Sequence, residues 1–148
     1  MKSGGQAALR GGSLNQVTVD EGGNLVGSGT VGNLTNNGHV CPDLVTVPWN
    51  LQVNGNFTQS AMGNINVDIA SASTYGQMQI NGAANLSGDI FVSLQNGYTP
   101  AVGQLFPNII TANGGLIGTF NPNIISYPPN VTWQAVYTGN SVSLQVVN

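Results

Sequence analysis

Three residues whose side chains can do chemistry stand at alternate positions: His39, Cys41 and Asp43. On a strand, alternate side chains share one face, and an imidazole, a thiol and a carboxylate together are typical of a cysteine nucleophile or a metal site. Such neighbours lie about 6.5 Å apart along a strand, too far for direct hydrogen bonds, and Pro42 favours a turn. We therefore expect Cys41 to be buried or to line a turn, and we predict no catalytic and no metal-ligating residue.

The acidic residues are scattered along the sequence. Enzymes that cleave polysaccharides on β-helical folds need paired carboxylates, or acids that bind calcium beside a basic proton acceptor. The two basic residues, Lys2 and Arg10, both lie near the start of the chain. We therefore predict that the protein is not an enzyme and has no cofactor. The acidic residues are Asp20, Glu21, Asp43, Asp68 and Asp89.

Four aromatic residues are candidates for contact with a carbohydrate or another partner: Trp49, Phe91, Tyr98 and Tyr127. An aromatic ring offers a large apolar face on which a sugar ring can stack. Phe91 stands between Ile90 and Val92, so on a strand it lies on the face opposite to theirs. Burial against a neighbouring rung, a loop or a second subunit is the alternative for all four.

The pattern of N-linked glycosylation, Asn-X-Ser/Thr, occurs four times. In so asparagine-rich a sequence, composition alone produces such matches, so the sequence leaves their occupancy open. The four asparagines are Asn33, Asn56, Asn85 and Asn130.

The chain carries very little charge. Only 5% of its 148 residues are charged, against about 25% in an ordinary soluble protein, while 41% are hydrophobic. Disordered chains combine low hydrophobicity with high charge, so this composition predicts a folded domain. The net charge of −3 leaves no basic patch for phosphates, which excludes nucleic acid as a partner. No apolar stretch approaches the 18 or so residues of a membrane span, so we expect no membrane insertion.

An internal repeat is the main structural signal. The segment 51–55 returns as 78–82, and 63–69 returns as 88–94, with a period of about 25 residues that is typical of solenoids. Apolar and polar residues alternate in both copies, which indicates strands that are buried on one face. Each unit can bury its apolar face only by stacking on the next.

Stacking also accounts for the low charge. Residues at the same position of successive rungs lie about 4.8 Å apart, where identical charges repel and amides or hydroxyls form hydrogen-bonded ladders. The repeat places Asn64 over Asp89 and Asp68 over Ser93, so it predicts that no two carboxylates are stacked in these copies.

The end of the chain predicts a β-hairpin. Two alternating segments, 131–137 and 142–146, flank a turn at Gly139 and Asn140. Trp133 within the first segment is bulky enough to close the end of a stack. We therefore interpret this hairpin as a C-terminal cap.

Together these patterns predict an all-β protein, a parallel β-helix (β-solenoid) with a C-terminal hairpin cap. The chain 1–148 forms one solenoid domain in this interpretation. We expect a flexible N-terminal segment at 1–12, stacked rungs at 13–97 that include the repeat at 51–69 and 78–94, and C-terminal rungs with the cap at 98–148.

Several short motifs occur in a fixed order, and together they resemble the C-terminal rungs of bacterial autotransporter passengers and related β-helical, adhesin-like surface proteins. The resemblance implies a right-handed parallel β-helix, export to the cell surface or beyond, and a structural or adhesive role. The motifs lie at 53–59, 63–69, 78–94, 96–100 with 103–104, 118–120 and 133–146.

We therefore expect a non-enzymatic, extracellular or cell-surface protein that is structural or adhesive, with the self-assembling subunit of a fibre as one form of this role. The alternative is a carbohydrate-binding module of an exported protein. The expected partners are copies of the protein itself, joined end to end or by strand donation, and surface glycans. Self-association is favoured because 13–19 carries neither charge nor proline to protect a strand edge.

Overall fold

The computed structural model describes residues 6–42 and 50–148. None of these residues lies in a helix, and the described part of the chain forms sixteen strands, so the predicted all-β class is confirmed. The strands are β1 (Gln6–Leu14), β2 (Val17–Val19), β3 (Asn24–Val31), β4 (Leu34–Asn36), β5 (His39–Pro42), β6 (Asn50–Val53), β7 (Phe57–Gln59), β8 (Asn64–Ile69), β9 (Gln77–Ile80), β10 (Ala84–Leu86), β11 (Asp89–Leu94), β12 (Leu105–Ala112), β13 (Leu116–Gly118), β14 (Ile125–Tyr127), β15 (Trp133–Tyr137) and β16 (Ser141–Val146).

The strands form two sheets. Sheet B has five strands in the order β13, β10, β7, β4, β2, all parallel. Sheet A holds the other eleven strands and divides at β3, whose first half pairs with β5 and whose second half pairs with β6. Beyond this point branch 1 runs in the order β5, β8, β11, β14, and branch 2 runs in the order β6, β9, β12, β16, β15.

The chain visits branch 1, branch 2 and sheet B in a repeating order. We call one such visit a pass: β5, β6 and β7 form one pass, β8, β9 and β10 the next, and β11, β12 and β13 the one after. Each strand pairs in parallel with its counterpart in the preceding pass. The predicted register is confirmed, because Asn64 pairs with Asp89 and Asp68 pairs with Ser93.

The apolar core is built from columns of paired residues. Every second residue of a strand points inward, so each inward aliphatic side chain meets its counterparts in the passes on either side. The side chains of the three main columns are no more than 1% exposed, and burying each valine, leucine, isoleucine or phenylalanine among them contributes about 1.5–3 kcal/mol. The columns are Leu25, Val40, Ile65 and Ile90 in branch 1, Val31, Val53, Ile80 and Ala112 in branch 2, and Leu34, Phe57 and Ala84 in sheet B.

Two buried side-chain amides link successive passes at the C-terminal ends of strands β4 and β7. Asn36 is completely buried and its Nδ2 donates a hydrogen bond of 2.8 Å to Gln59 Oε1. Gln59 Nε2 donates in turn to the carbonyl oxygen of Ser87 at 2.8 Å, and Asn36 Oδ1 accepts from the amide of Gly38 at 3.0 Å. Since an unsatisfied buried amide costs about 1–3 kcal/mol, these bonds favour this one register over its neighbours.

Strand β3 changes branches without a connecting loop. It pairs with β5 up to Gly27 and with β6 from Gly29 onward. Both glycines have positive φ, 122° and 147°, a region that residues with a Cβ rarely adopt. The two glycines therefore allow one continuous strand to turn from one branch into the other.

Both ends of the described chain add to sheet A. Residues 6–12 lie in β1, which pairs in parallel with β3, in place of the flexible segment predicted at 1–12. The edge of β3 offers unpaired backbone groups that an extended segment satisfies, whatever its side-chain pattern. The predicted C-terminal hairpin is present: β15 and β16 are antiparallel, and β16 joins branch 2 antiparallel to β12.

The close approach of passes at their corners makes one glycine sensitive to substitution. A Cβ added to Gly114 would lie 2.7 Å from the carbonyl carbon of Gly82 and 2.8 Å from the amide nitrogen of Ala83, and neither backbone atom can move aside freely. We expect Gly114→Ala to lower the free energy of unfolding by about 2 kcal/mol or more.

Gly139→Ala is the matched control, because a Cβ there meets nothing within 4 Å. Its effect should stay within about 0.5 kcal/mol in the same urea titration. Equal stability of the two variants would contradict the close approach.

Candidate functional site

The outward side chains of β8, β11 and β14 form a mixed aromatic and polar surface, which we call the Phe91 platform. Phe91 is flanked by its pairing partners Asn66 on β8 and Ile125 on β14, and Ser93 pairs with Tyr127. Ile125 is 51% exposed and Tyr127 is 75% exposed. The platform consists of Asn64, Asn66, Asp68, Asp89, Phe91, Ser93, Ile125 and Tyr127.

The polar groups of the platform are held by hydrogen bonds within β8 and between passes. Asn66 Nδ2 donates to Asp68 Oδ1 at 2.7 Å, while Asn66 Oδ1 accepts from Ser93 Oγ at 3.0 Å. The Asp89 carboxylate accepts from Asn121 Nδ2 at 2.5 Å. Amide, hydroxyl and carboxylate groups therefore stand at defined positions around an aromatic ring.

Strand β14 is anchored from the hairpin side. Trp133 is buried, and its Nε1 donates to Ser126 Oγ at 3.1 Å. The Ser126 hydroxyl in turn donates to the carbonyl oxygen of Pro128 at 3.0 Å. The Trp133 ring packs on Phe106 with 5.6 Å between the ring centroids. The two exposed apolar side chains of β14 are thus carried by a strand that is tied to the core.

The structure brings two of the four predicted partner-contact residues together. Phe91 and Tyr127 lie on adjacent strands of one face, whereas Tyr98 lies elsewhere and packs edge-on against Phe106 at 6.4 Å. The Tyr98 hydroxyl accepts a hydrogen bond from Gln104 Nε2 at 2.7 Å, so this side chain is used within the fold. Trp49 lies outside the described residues.

His39 and Cys41 contact different side chains. His39 Nδ1 is hydrogen-bonded to the side-chain oxygen of Asn64. Cys41 is buried, as predicted, and its Sγ accepts from Asn66 Nδ2 at 3.5 Å and lies 3.8 Å from Asp68 Oδ2. Asp43 lies outside the described residues.

The contact between Cys41 and Asp68 crosses from one pass to the next, and the sequence analysis missed it. Residues 38–40 align with the two repeat copies through Gly38, Gly63 and Gly88, and extending the alignment by one pass would have placed Cys41 beside Asn66, two residues from Asp68. In the described ranges 6–42 and 50–148, no group of three or more His, Cys, Asp or Glu side chains is placed to hold a metal ion.

The predicted glycosylation sites fall into two structural kinds. The side-chain oxygens of Asn33 and Asn56 accept hydrogen bonds from the backbone amides of Asn56 and Ala83, at 2.8 and 2.9 Å, and so join successive passes. All four asparagines are exposed, and Asn85 lies in β10 while Asn130 lies in the segment before β15.

A cavity of about 330 Å³ lies between β15 and the segment that follows β13, and we call it the C-terminal cavity. The hydroxyl of Tyr137 accepts a hydrogen bond from the amide of Phe120 at 3.0 Å, which joins the two walls. The lining is largely apolar, with no charged side chain. It consists of Thr119, Phe120, Asn121, Pro122, Gln134, Ala135 and Tyr137.

The comparisons with known proteins identify no relative: neither a protein-family model nor a curated protein sequence matches the chain. Across the part of the chain that the structure describes, no helix has the length and apolar character needed to cross a membrane.

Burial raises the pKa of Tyr137 above its ordinary value, and the hydrogen bond from the Phe120 amide opposes this effect. Because the folded-state pKa is the higher one, the resulting stability is present below about pH 10 and is lost as the pH rises through the folded pKa. Burial raises the pKa of Tyr75 as well, so we expect Tyr137→Phe to remove one of the phenols that ionise above the ordinary value in the ultraviolet absorbance titration of tyrosinate.

The control is the same titration in denaturant, where this phenol should ionise at its ordinary value. If the native variant instead loses a phenol that ionises near pH 10, and the titration above that pH is unchanged, the raised pKa does not belong to Tyr137.

Proposed function

We propose that the chain is a parallel β-solenoid that serves as a non-enzymatic structural and adhesive module at the cell surface or outside the cell. The observation that carries this proposal is the repeating order of branch 1, branch 2 and sheet B, with parallel pairing between successive passes. Such stacking is how solenoid proteins bury a core. The antiparallel hairpin of β15 and β16 then acts as the C-terminal cap.

The outward columns support a scaffold role. In sheet B the outward residues Thr18, Thr35 and Thr58 are paired in succession, and in branch 2 Gln52 pairs with Gln79. These side chains are polar without bringing like charges to the spacing of adjacent strands. An uncharged, regularly spaced surface of this kind suits an extended element exposed to solvent.

The Phe91 platform supports the adhesive part of the proposal and makes carbohydrate binding the second candidate function. The apolar face of a sugar ring can stack on Phe91 or Tyr127, while its hydroxyl groups bond to polar groups such as Asn66. The structure presents these groups together on one face and ties their strands to the core. We propose a surface glycan as the partner of this face.

Self-association is the remaining part of the proposal, with the subunit of a fibre as its form. The strands β2 and β13 stand at the two ends of sheet B, and each pairs with one neighbour in the described part of the chain. Because β1 is engaged with β3, we favour end-to-end association over donation of the N-terminal segment. The proposal includes no nucleic acid, cofactor or metal ion.

Glycan binding provides the test of the adhesive role. We expect saturable binding on a glycan array, and we expect Phe91→Ala and Tyr127→Ala each to weaken it about tenfold or more, as truncation of a central aromatic contact does. Surface-bound protein should retain cells that carry the bound glycan.

Val102→Ala is the control, because Val102 is 70% exposed in the link between β11 and β12, outside the three platform strands. Its binding should equal that of the unaltered protein. Absence of saturable binding to any glycan would defeat the carbohydrate hypothesis and leave the scaffold role, whereas an equal loss in all three variants would place the site elsewhere.

A further inference from the structure

Asparagine followed by glycine is the pair most prone to spontaneous loss of the side-chain amide. Glycine has no Cβ, so nothing holds its backbone nitrogen away from the asparagine side chain. This pair occurs five times in the chain, and a difference in reactivity among the five copies depends on the fold. The five asparagines are Asn37, Asn54, Asn81, Asn96 and Asn113.

Three of the pairs lie at the corners between branch 2 and sheet B, at 54–55, 81–82 and 113–114. In each of them both backbone amides donate to carbonyl oxygens of the preceding pass, at 2.8–3.2 Å. In the second pair, for example, the Gly82 amide donates to the carbonyl oxygen of Gly55 at 2.9 Å. The glycine nitrogen that would have to attack is therefore engaged in the stacking of the passes.

The pair of Asn37 and Gly38 is held in a similar way. The Asn37 amide donates to the carbonyl oxygen of Val19 at 2.8 Å, and the Gly38 amide donates to Asn36 Oδ1 at 3.0 Å. Both Gly38 and Asn36 are buried. The attacking nitrogen of this pair is thus bonded inside the molecule and shielded from water.

The pair of Asn96 and Gly97 lies in the turn that follows β11, and it lacks these bonds. The turn has φ values of 55° and 71° at the two residues, and one hydrogen bond closes it, from the Tyr98 amide to the carbonyl oxygen of Gln95 at 3.0 Å. Among the described residues, none accepts a hydrogen bond from the Gly97 amide. Both residues of the pair are exposed, and a Cβ added to Gly97 would meet nothing within 4 Å. Water therefore reaches the side-chain amide and the attacking nitrogen.

We infer that Asn96 is a site of spontaneous deamidation and that the fold protects the other four Asn-Gly pairs. Opening the turn breaks one hydrogen bond, after which the Gly97 nitrogen can approach the side-chain carbonyl carbon of Asn96. At the protected pairs the attacking nitrogen must first leave its own bond, and the backbone around it must open as well. This inference does not depend on the proposed function.

The reaction consumes water and releases ammonia. The Gly97 nitrogen bonds to Asn96 Cγ and gives up its proton, while the bond from Cγ to Nδ2 breaks and Nδ2 leaves as ammonia. Water then opens the resulting succinimide ring at one of its two carbonyl carbons. Opening at Cγ yields aspartate, and opening at the backbone carbon yields isoaspartate, in which the chain continues through the side chain.

The change is confined to the link between β11 and β12. On one side of the turn the Gln95 amide donates to the carbonyl oxygen of Ile69 at 2.8 Å, and on the other side Tyr98 packs on Phe106. Neither contact involves Asn96, so the core keeps its packing. Either product adds one negative charge to a chain of net charge −3, so ion exchange separates the modified protein from the original.

Peptide mapping by mass spectrometry tests the inference on the whole protein. Native and denatured samples are kept in the same mildly alkaline buffer until all five pairs have reacted in the denatured one. In the native sample we expect Asn96 to deamidate about tenfold faster or more than each of the other four, because additional hydrogen bonds must break there. The five rates should lie close together in denaturant. Methylation by an isoaspartyl methyltransferase identifies the isoaspartate product.

Two matched variants assign the new charge to its residue. Asn96→Gly retains a residue that accepts the positive φ of the turn, and the folded variant should no longer accumulate the acidic species on ion exchange. Asn113→Gly removes an exposed asparagine from a protected pair, and it should accumulate the acidic species as fast as the unaltered protein. Circular dichroism checks that both variants fold.

Three results would overturn the inference. The first is a native protein in which Asn96 stays intact while the denatured sample reacts. The second is another Asn-Gly pair that reacts as fast as Asn96 in the native protein. The third is an Asn96→Gly variant that still acquires the acidic species at the original rate.

Discussion

In-register parallel pairing between successive passes is the constraint on which the rest of the molecule depends. Each paired residue of these strands has a counterpart about 4.8 Å away in the next pass, so its side chain must be repeated or matched there. Inward, this produces aliphatic columns such as Leu25, Val40 and Ile65, and outward it produces columns of threonine and glutamine. The buried pair Asn36 and Gln59 obeys the same rule, because each amide is satisfied by the pass beside it. The scarcity of charge is thus a consequence of the pairing.

The Phe91 platform is a place where this repetition is broken. Along its central column, Asn66 is followed by Phe91 and then by Ile125. The neighbouring column contains Asp68, Ser93 and Tyr127 in succession. A scaffold needs none of these changes, because the aliphatic columns beneath them continue unaltered to Ile90 and Val92. The departure from a ladder pattern on an otherwise regular surface is the physical reason for assigning recognition to this face.

The sequence predicted best where two adjacent passes have the same length. The segments 63–69 and 88–94 have equal lengths and align residue by residue. This alignment predicted the pairing of Asn64 with Asp89 correctly. Strand β1 was not predicted, because residues 6–12 show no alternation and are held by the backbone edge of β3. The proximity of Phe91 and Tyr127 was not predicted either, since the longer stretch between β11 and β14 has no repeated copy from which a register could be inferred. Local periodicity reports which face of a strand is buried, whereas the partner of a non-repeated strand depends on loop lengths that no local pattern records.

The connections between the sheets and branches differ in how far their length varies from pass to pass. From branch 2 to sheet B the connections are short and uniform, at 54–56, 81–83 and 113–115, and stacked backbone contacts such as that of Gly114 leave no room there. From branch 1 to branch 2 the link varies from none within β3 to 43–49, 70–76 and 95–104. Inserted sequence is therefore tolerated on one edge of the molecule, where consecutive insertions emerge in a row at the spacing of the strands. This edge is a natural position for grafting foreign peptides, which would be displayed as a linear array with a fixed pitch and without a change to the core beneath them.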